Sequence, residues 1–572
     1  MSDKKTGMRK GLTRYGDEDF SLYLRKAFIK GMGYTDDALD RPIVGITNTF
    51  SEYNACHGTV PQLIDAVKRG VMLAGGLPVE FPTITIHESF AFPTSMYMRN
   101  LMAIDTEEMV RAQPMDSVVL IGGCDKTVPA LLMGAASAGV PAILEVTGPM
   151  LSGTHKGERL GACTDCRRFW GKYRAGEIDA EEIADVTDRL VPSAGTCGVM
   201  GTASTMAIVS EALGMMLPGG ACIPAVLADR YRHAEQTGTQ AVQMAKDGSP
   251  TPDKIMTDEA FKNALTVLQA IGGSTNAIVH LSAMAGRLGI KIDLDEFDEI
   301  GRNTQVLVDL KPSGENYMDD MHKAGGTGPL LRELSGSLDL SAMTVNGKTL
   351  GENIDDLVPG FDQSIIRTKD NPIAASGGMA VLKGNLAPDR AVIKHVAASS
   401  ELLNHTGKAV VFKNMEDLVN RIDDPDLDVD KDSVLIMQNA GPKGAPGMPE
   451  SGYLPIPKKL AAAGVKDMVR ISDARMSGTA FGTIVLHVAP ESAIGGPLAL
   501  VKDGDMIKLD VENRTLDVLI SDEELAERRA NWTPPEPHAG SDRGYSKLYQ
   551  DTVTQAPEGC DFDFLQAREI SK

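Results

Sequence analysis

The feature that most constrains this chain is a change of pattern partway along it. Up to about residue 378, short apolar runs alternate with helical stretches of small residues: PIVGIT at 42–47, SVVLIGG at 117–123 followed by TVPALLMGAASAG, and PAILEVTG at 141–148. That alternation is the pattern of βα units on a largely parallel sheet, whose strand ends and glycine-rich loops are where such folds place their sites. From about residue 380 the runs MAVLKGN, KAVVF, SVLIM, DMVRI and GTIVLHV are short, β-rich and separated by Gly, Pro, Asn and Asp turns. DMIKLDV and TLDVLIS, joined through Glu512, Asn513 and Arg514, read as a hairpin. The expected architecture is an α/β domain over 1–378 with a largely parallel sheet, followed by a β-rich, barrel-like domain over 379–572. Two domains suit 572 residues, because a large α/β core absorbs more than the roughly 150 residues of an average domain. The Pro- and Gly-rich stretch from Asn531 is expected on the surface.

Several classes of function are disfavoured. A formal net charge of −21 and a pI near 5.0 would repel a phosphate backbone, and no basic arm offsets it, so neither nucleic acid nor a membrane surface is an expected partner. The charged amino terminus has no apolar run after it, and no stretch approaches the roughly 20 residues of a membrane span. A cytoplasmic location is expected. Seven cysteines, an odd number, suggest reduced thiols rather than a disulfide framework. The acidic run at 423–432 lacks the glycine of a calcium loop and reads as a solvated surface loop. There is no internal repeat, Walker A loop or GxGxxG after a strand.

Three cysteines share one local setting. Cys124 follows an apolar strand and two glycines and precedes a helix; Cys197 lies in SAGTCGVMGTASTMAIVSEALG; Cys56 lies in SEYNACHGTVPQLIDAV. A thiol ahead of a helix is favoured as thiolate, and thiolates select iron–sulfur clusters or zinc. The same positions suit small buried thiols at tight turns. Asp125 and Lys126 alone read as a helix cap with a neighbouring charge. Glu88 in TITIHESF and Glu450 in GPKGAPGMPE could serve a hard cation such as magnesium, or could simply be surface residues. Ser477, after a β run, could be a turn residue or, beside a metal, a base. The C-x-x-C pair Cys163 and Cys166 is a competing redox or zinc candidate, but no second pair completes a four-ligand site.

The blocks GGCDKTVPALLMGAA (122–136), SAGTCGVMGTASTMA (193–207), IGGSTNAIVHL (271–281), VLKGNLAP (381–388), GPKGAPGMPE (441–450) and SDARMSGTA (472–480) resemble the dihydroxy-acid and sugar-acid dehydratases, the IlvD/Edd family. The resemblance implies a hydro-lyase forming a 2-keto acid, with an iron–sulfur cluster on Cys56, Cys124 and Cys197, 2Fe–2S rather than 4Fe–4S. It implies magnesium on Glu88, Asp125, a carboxylated Lys126 and Glu450, with Ser477 as base, Thr479 at the substrate, and a homodimer or homotetramer. HESFAFPTSMYMRNL and SDARMSGTA are more similar to the pentonate and hexonate dehydratases than to the branched-chain biosynthetic enzymes. Arabinonate, xylonate or gluconate is therefore the expected substrate, with 2,3-dihydroxyisovalerate as the alternative. A non-catalytic redox or metal sensor using Cys163 and Cys166 is the alternative from another class.

Overall fold

A computed structural model of the chain describes residues 6–357, 361–538 and 540–567. The four apolar runs β1 (Ile43–Asn48), β2 (Leu77–Pro82), β3 (Ser117–Gly122) and β4 (Ala142–Val146) form one parallel sheet in the order β2-β1-β3-β4. Every residue of β3 is buried, which explains why its run is apolar on both faces. The helices that build the layers and carry the loops are α1 (Val60–Leu73), α2 (Ser95–Ala112), α3 (Thr127–Ala138), α4 (Thr164–Ala175), α5 (Thr202–Ala212) and α6 (Ala228–Asp247). Helices α1 and α6 cross backbone to backbone. A Cβ on Gly70 would stand 1.9 Å from the Glu235 carbonyl oxygen and one on Gly238 2.3 Å from that of Val67, so only glycine fits.

The strand order places the site. From β1 the chain crosses to β2 on one side, and from β3 to β4 on the other. The loops that leave the carboxyl ends of β1 and β3 therefore diverge and open a crevice, the usual ligand position in such sheets. These are the loops that carry Cys56 and Cys124.

The second sheet has eight strands: β5 (Ala380–Leu382), β6 (Ala391–Ile393), β7 (Asn404–Phe412), β8 (Val434–Met437), β9 (Arg470–Ser472), β10 (Ile484–Leu486), β11 (Met506–Asp510) and β12 (Thr515–Val518). Their order is β12-β11-β7-β8-β9-β10-β6-β5. The two ends of the row meet where Lys383, just past β5, donates its N–H to the Arg514 carbonyl (3.0 Å) and accepts from the Leu516 N–H (2.9 Å). The sheet is nearly a closed barrel. Leu382, Ile393, Val411, Ile436 and Val485 fill its interior, while the alternate residues Val410, Phe412, Leu435 and Met437 pack outward in a separate cluster, the period-two pattern of strands. The expected hairpin is β11–β12, paired antiparallel from Ile507–Val518 to Asp510–Thr515. Strands β7 to β10 are parallel, so half the barrel is wound like the first sheet.

Residues 531–538 are largely exposed, as their composition suggests, while Ala539 lies outside the described residues. The chain then forms α7 (Gly544–Thr552) and returns to the α/β domain, with Tyr549 buried against Tyr97 and Phe562. The acidic run at 423–432 is mostly exposed. Among the described residues no helix is long and apolar enough to cross a membrane.

Candidate active site

Because β1 and β3 are neighbours, the single turn Ala55–His57 lies beside the loop Gly123–Lys126. His57 joins the two loops. Its Nδ1–H donates to the Thr49 carbonyl (2.8 Å), which leaves Nε2 to accept from the Gly123 and Cys124 amides at 3.0 and 3.1 Å. Burial pushes this imidazole down to about 4, so the ring is neutral near pH 7 and keeps that arrangement. Gly123 has no room for a side chain, since a Cβ there would stand 1.8 Å from Thr147 Oγ1.

Cys56 and Cys124 are buried, and their sulfurs lie within 4.8 Å of each other and of a His87 ring nitrogen. The Cys124 thiol donates to Asp125 Oδ1 (3.6 Å), and the interaction between the two neighbouring thiols holds Cys56 down to about 6 and pushes Cys124 up. Cys197, the third expected member, stands apart from this group. Its loop touches the Cys56 loop through the Gly195 N–H and Ala55 carbonyl (3.1 Å), but its sulfur lies 3.2 Å from that of Cys163. The C-x-x-C pair is thus brought to Cys197: Cys163 caps α4, and the Cys166 thiol donates to the Cys163 carbonyl at 2.6 Å.

The carboxylates form a second group. Glu88, Asp125 and Glu450 each offer an oxygen within 4.8 Å of the others. Lys126 is fully buried beside them and donates to Asp125 Oδ2 at 2.5 Å. Glu88 sits in a short turn after β2 rather than at a strand end, and accepts from the Thr94 hydroxyl (2.7 Å) and from Ser95. Glu450 arrives on the loop after β8, and Arg475 on the loop after β9. The buried Arg475 guanidinium donates to Glu450 at 2.6 Å and to both Glu88 oxygens at 3.1 Å. Burial alone would raise the Glu88 carboxyl, yet Arg475 and Lys126 outweigh it and hold it at about 2. Burial and the charge on Glu88 push Glu450 up.

Two residues past Arg475, Ser477 is half-buried, with its Oγ 2.8 Å from that of Thr479. This loop presses on the α/β domain. A Cβ on Gly478 would stand 2.6 Å from Ser274 Oγ, and the Thr164 hydroxyl at the start of α4 donates to the Thr479 carbonyl (3.0 Å). The carboxyl-end loops of two parallel strand sets therefore face one another.

Sequence reading passed over three residues that organise this region. His87 stands next to Glu88, His57 next to Cys56, and Arg475 two residues before Ser477, so each lay inside a quoted segment. Only spatial neighbours distinguish them from a surface histidine or a surface arginine.

Relatives of similar length carry dehydratase names. The chain is 48% identical over 559 residues to an L-arabonate dehydratase of Azospirillum brasilense, covering 96% of each chain. It is 47% identical over 555 residues to an L-arabinonate dehydratase of Rhizobium leguminosarum bv. trifolii (96% of this chain, 95% of the relative). It is 46% identical over 538 residues to a 6-deoxy-6-sulfo-D-gluconate dehydratase of Pseudomonas putida (93% and 92%). With the fold and donor groups described, these define a dehydratase, a carbon–oxygen lyase. The N-terminal and C-terminal models of the dihydroxy-acid/6-phosphogluconate dehydratases match residues 41–353 and 364–560, and the chain belongs to that family.

Proposed function

We propose that this chain removes water from a 2,3-dihydroxy sugar acid of the aldonic type to give a 2-keto-3-deoxy acid. The observation that carries the reading is the dipeptide Cys124–Asp125, whose first residue stands in the thiol group and whose second stands in the carboxylate group. A soft and a hard donor set thus share one loop. Polyhydroxylated acids are also what the relatives described above are named for, which favours an aldonic acid over 2,3-dihydroxyisovalerate.

The donors suit two metal groups. Cys56, Cys124 and Cys197 would hold an iron–sulfur cluster, assigned here as 2Fe–2S; a cluster, unlike a single ion, is gripped by sulfurs that do not converge on one point, and Cys197 stands apart as such a ligand should. Glu88, Asp125 and Glu450 would hold magnesium, joined by Lys126 once carboxylation turns its amine into an anionic oxygen donor. When bound, the metals supply Lewis acidity at the departing hydroxyl and at the carboxylate end of the substrate.

The protein's own groups do the rest. Ser477 Oγ, deprotonated when the neighbouring metal is bound, would take the C2 proton as an alkoxide, and Thr479, with its Oγ 2.8 Å away, orients that oxygen and contacts the substrate. Arg475 pairs with both Glu88 and Glu450 and so offsets the repulsion between them. Loss of the C2 proton and the C3 hydroxide leaves an enol that tautomerises to the keto acid.

The test is a panel of pentonic and hexonic acids with 2,3-dihydroxyisovalerate, followed as 2-keto acid release with and without magnesium. An aldonic acid should lead by at least about tenfold in kcat/KM, or about 1.4 kcal/mol of transition-state preference. Preference for dihydroxyisovalerate would overturn the substrate class, and no keto acid from any of them would overturn the reaction.

A further inference from the structure

The seven cysteines divide by exposure. Cys56, Cys124, Cys222 and Cys560 are buried, whereas Cys163, Cys166 and Cys197 are partly open to solvent. The three open thiols lie together, with Cys163 in the middle: its sulfur is 3.2 Å from that of Cys197, and Cys166 donates to its carbonyl from one turn further along α4. Cys163 caps the amino end of that 12-residue helix, which fixes its sulfur beside Cys197 and one turn from Cys166. A disulfide bond is roughly 2.05 Å long, so the Cys163–Cys197 contact closes with a movement of roughly 1 Å.

We propose that Cys163 is an oxidation site for hydroperoxides, which cross-links to Cys197 and then passes the disulfide to Cys166. The chemistry balances with hydrogen peroxide as oxidant. The Cys163 sulfur attacks the O–O bond, and the released hydroxide takes the Cys163 thiol proton and leaves as water, giving a sulfenic acid. The Cys197 sulfur attacks that sulfur, the S–S bond forms, and the second water departs with the Cys197 proton. Two thiols have lost two electrons, and one peroxide has become two waters. The Cys166 sulfur then attacks Cys163, the bond to Cys197 breaks, and Cys197 leaves as a thiol carrying the proton from Cys166.

The consequence rests on the reading of Cys197 as a cluster ligand. In a chain that has lost its cluster, a partly open ligand thiol would otherwise climb to sulfinic acid, which dithiols do not reverse. The relay returns Cys197 reduced and ready to be loaded again.

The experiment treats the protein as isolated with a few equivalents of hydrogen peroxide, blocks free thiols, and maps linked peptides by mass spectrometry. Wild type should end at Cys163–Cys166, and Cys166→Ser should stop at Cys163–Cys197. Cys163→Ser should form neither link, accumulate over-oxidised Cys197, and regain roughly tenfold less visible absorbance than wild type after dithiol, iron and sulfide are supplied. Absence of any Cys163 link in wild type, or equal recovery in Cys163→Ser, overturns the proposal. The ligand reading is checked separately: if untreated Cys197→Ser keeps the visible absorbance, that reading falls, while a mapped Cys163–Cys197 bond still supports the oxidation site.

Discussion

In the α/β half of the site, Cys56, Cys124, Asp125 and Lys126 come from loops after two adjacent strands, and a neutral buried imidazole ties those loops together. In the barrel half, Glu450 and Ser477 come from loops after β8 and β9, and the carboxylates of the two halves are joined by one guanidinium that reaches both Glu450 and Glu88. Both halves use the carboxyl ends of parallel strands. They differ in how position is enforced: hydrogen bonds to an uncharged ring on one side, charge on the other. The imidazole tie on the thiol side should therefore be indifferent to pH near neutrality, and the carboxylate side vulnerable to acid and to loss of a single cation.

Four changes probe that contrast, the largest first. Cys124→Ser removes the soft donor and leaves the carboxylates in place; turnover and visible absorbance should both vanish, and surviving colour would show that the thiol half is not what holds the cluster. Ser477→Ala should lower kcat by about 10²–10⁴ while absorbance and Tm stay at wild-type values, which separates proton transfer from metal holding. Arg475→Met leaves two half-buried carboxylates without their cation and should cost about 1–3 kcal/mol in denaturant unfolding, less than breaking a fully buried pair. Its acid profile is a second readout. Glu88 is held at about 2 against an ordinary 4.5, so its contribution to stability is complete above about 4.5 and disappears as the pH falls toward about 2; Glu450, shifted upward, works in the opposite sense. In Arg475→Met the loss between those pH values should flatten, and an unchanged slope would show that charge is not what secures this half. Gly123→Ala should cost about 1–3 kcal/mol in unfolding, because its Cβ has no space against Thr147 Oγ1.

Much of the frame was legible. SVVLIGG, PIVGIT and PAILEVTG became β3, β1 and β4 because strands buried on both faces are largely apolar, the buried Glu145 of β4 being paired with Arg230 and His233, and DMIKLDV with TLDVLIS became a hairpin. The parallel winding of β7 to β10 was not legible, since a three- or four-residue apolar run has the same composition in either direction of pairing. Helix α7 escaped notice behind the Pro-rich stretch at 531–538. The site residues named from sequence fall in two donor groups and one hydroxyl loop, with Cys197 set apart. His57 and Arg475 were illegible because what marks them, a pair of amide donors and two carboxylates, comes from other loops.

The sequence by itself determined the element types, the change of architecture near residue 380 and the family, because periodicity and long ordered motifs are local properties of the chain. Tertiary structure decided which of those motifs meet. The order β2-β1-β3-β4 sets Cys56 beside Cys124, the barrel brings Glu450 and Arg475 to Glu88, and α4 delivers Cys163 to Cys197. None of these pairings has a sequence signature, since each joins residues 34 to 387 positions apart through strand order and packing, which no local pattern records.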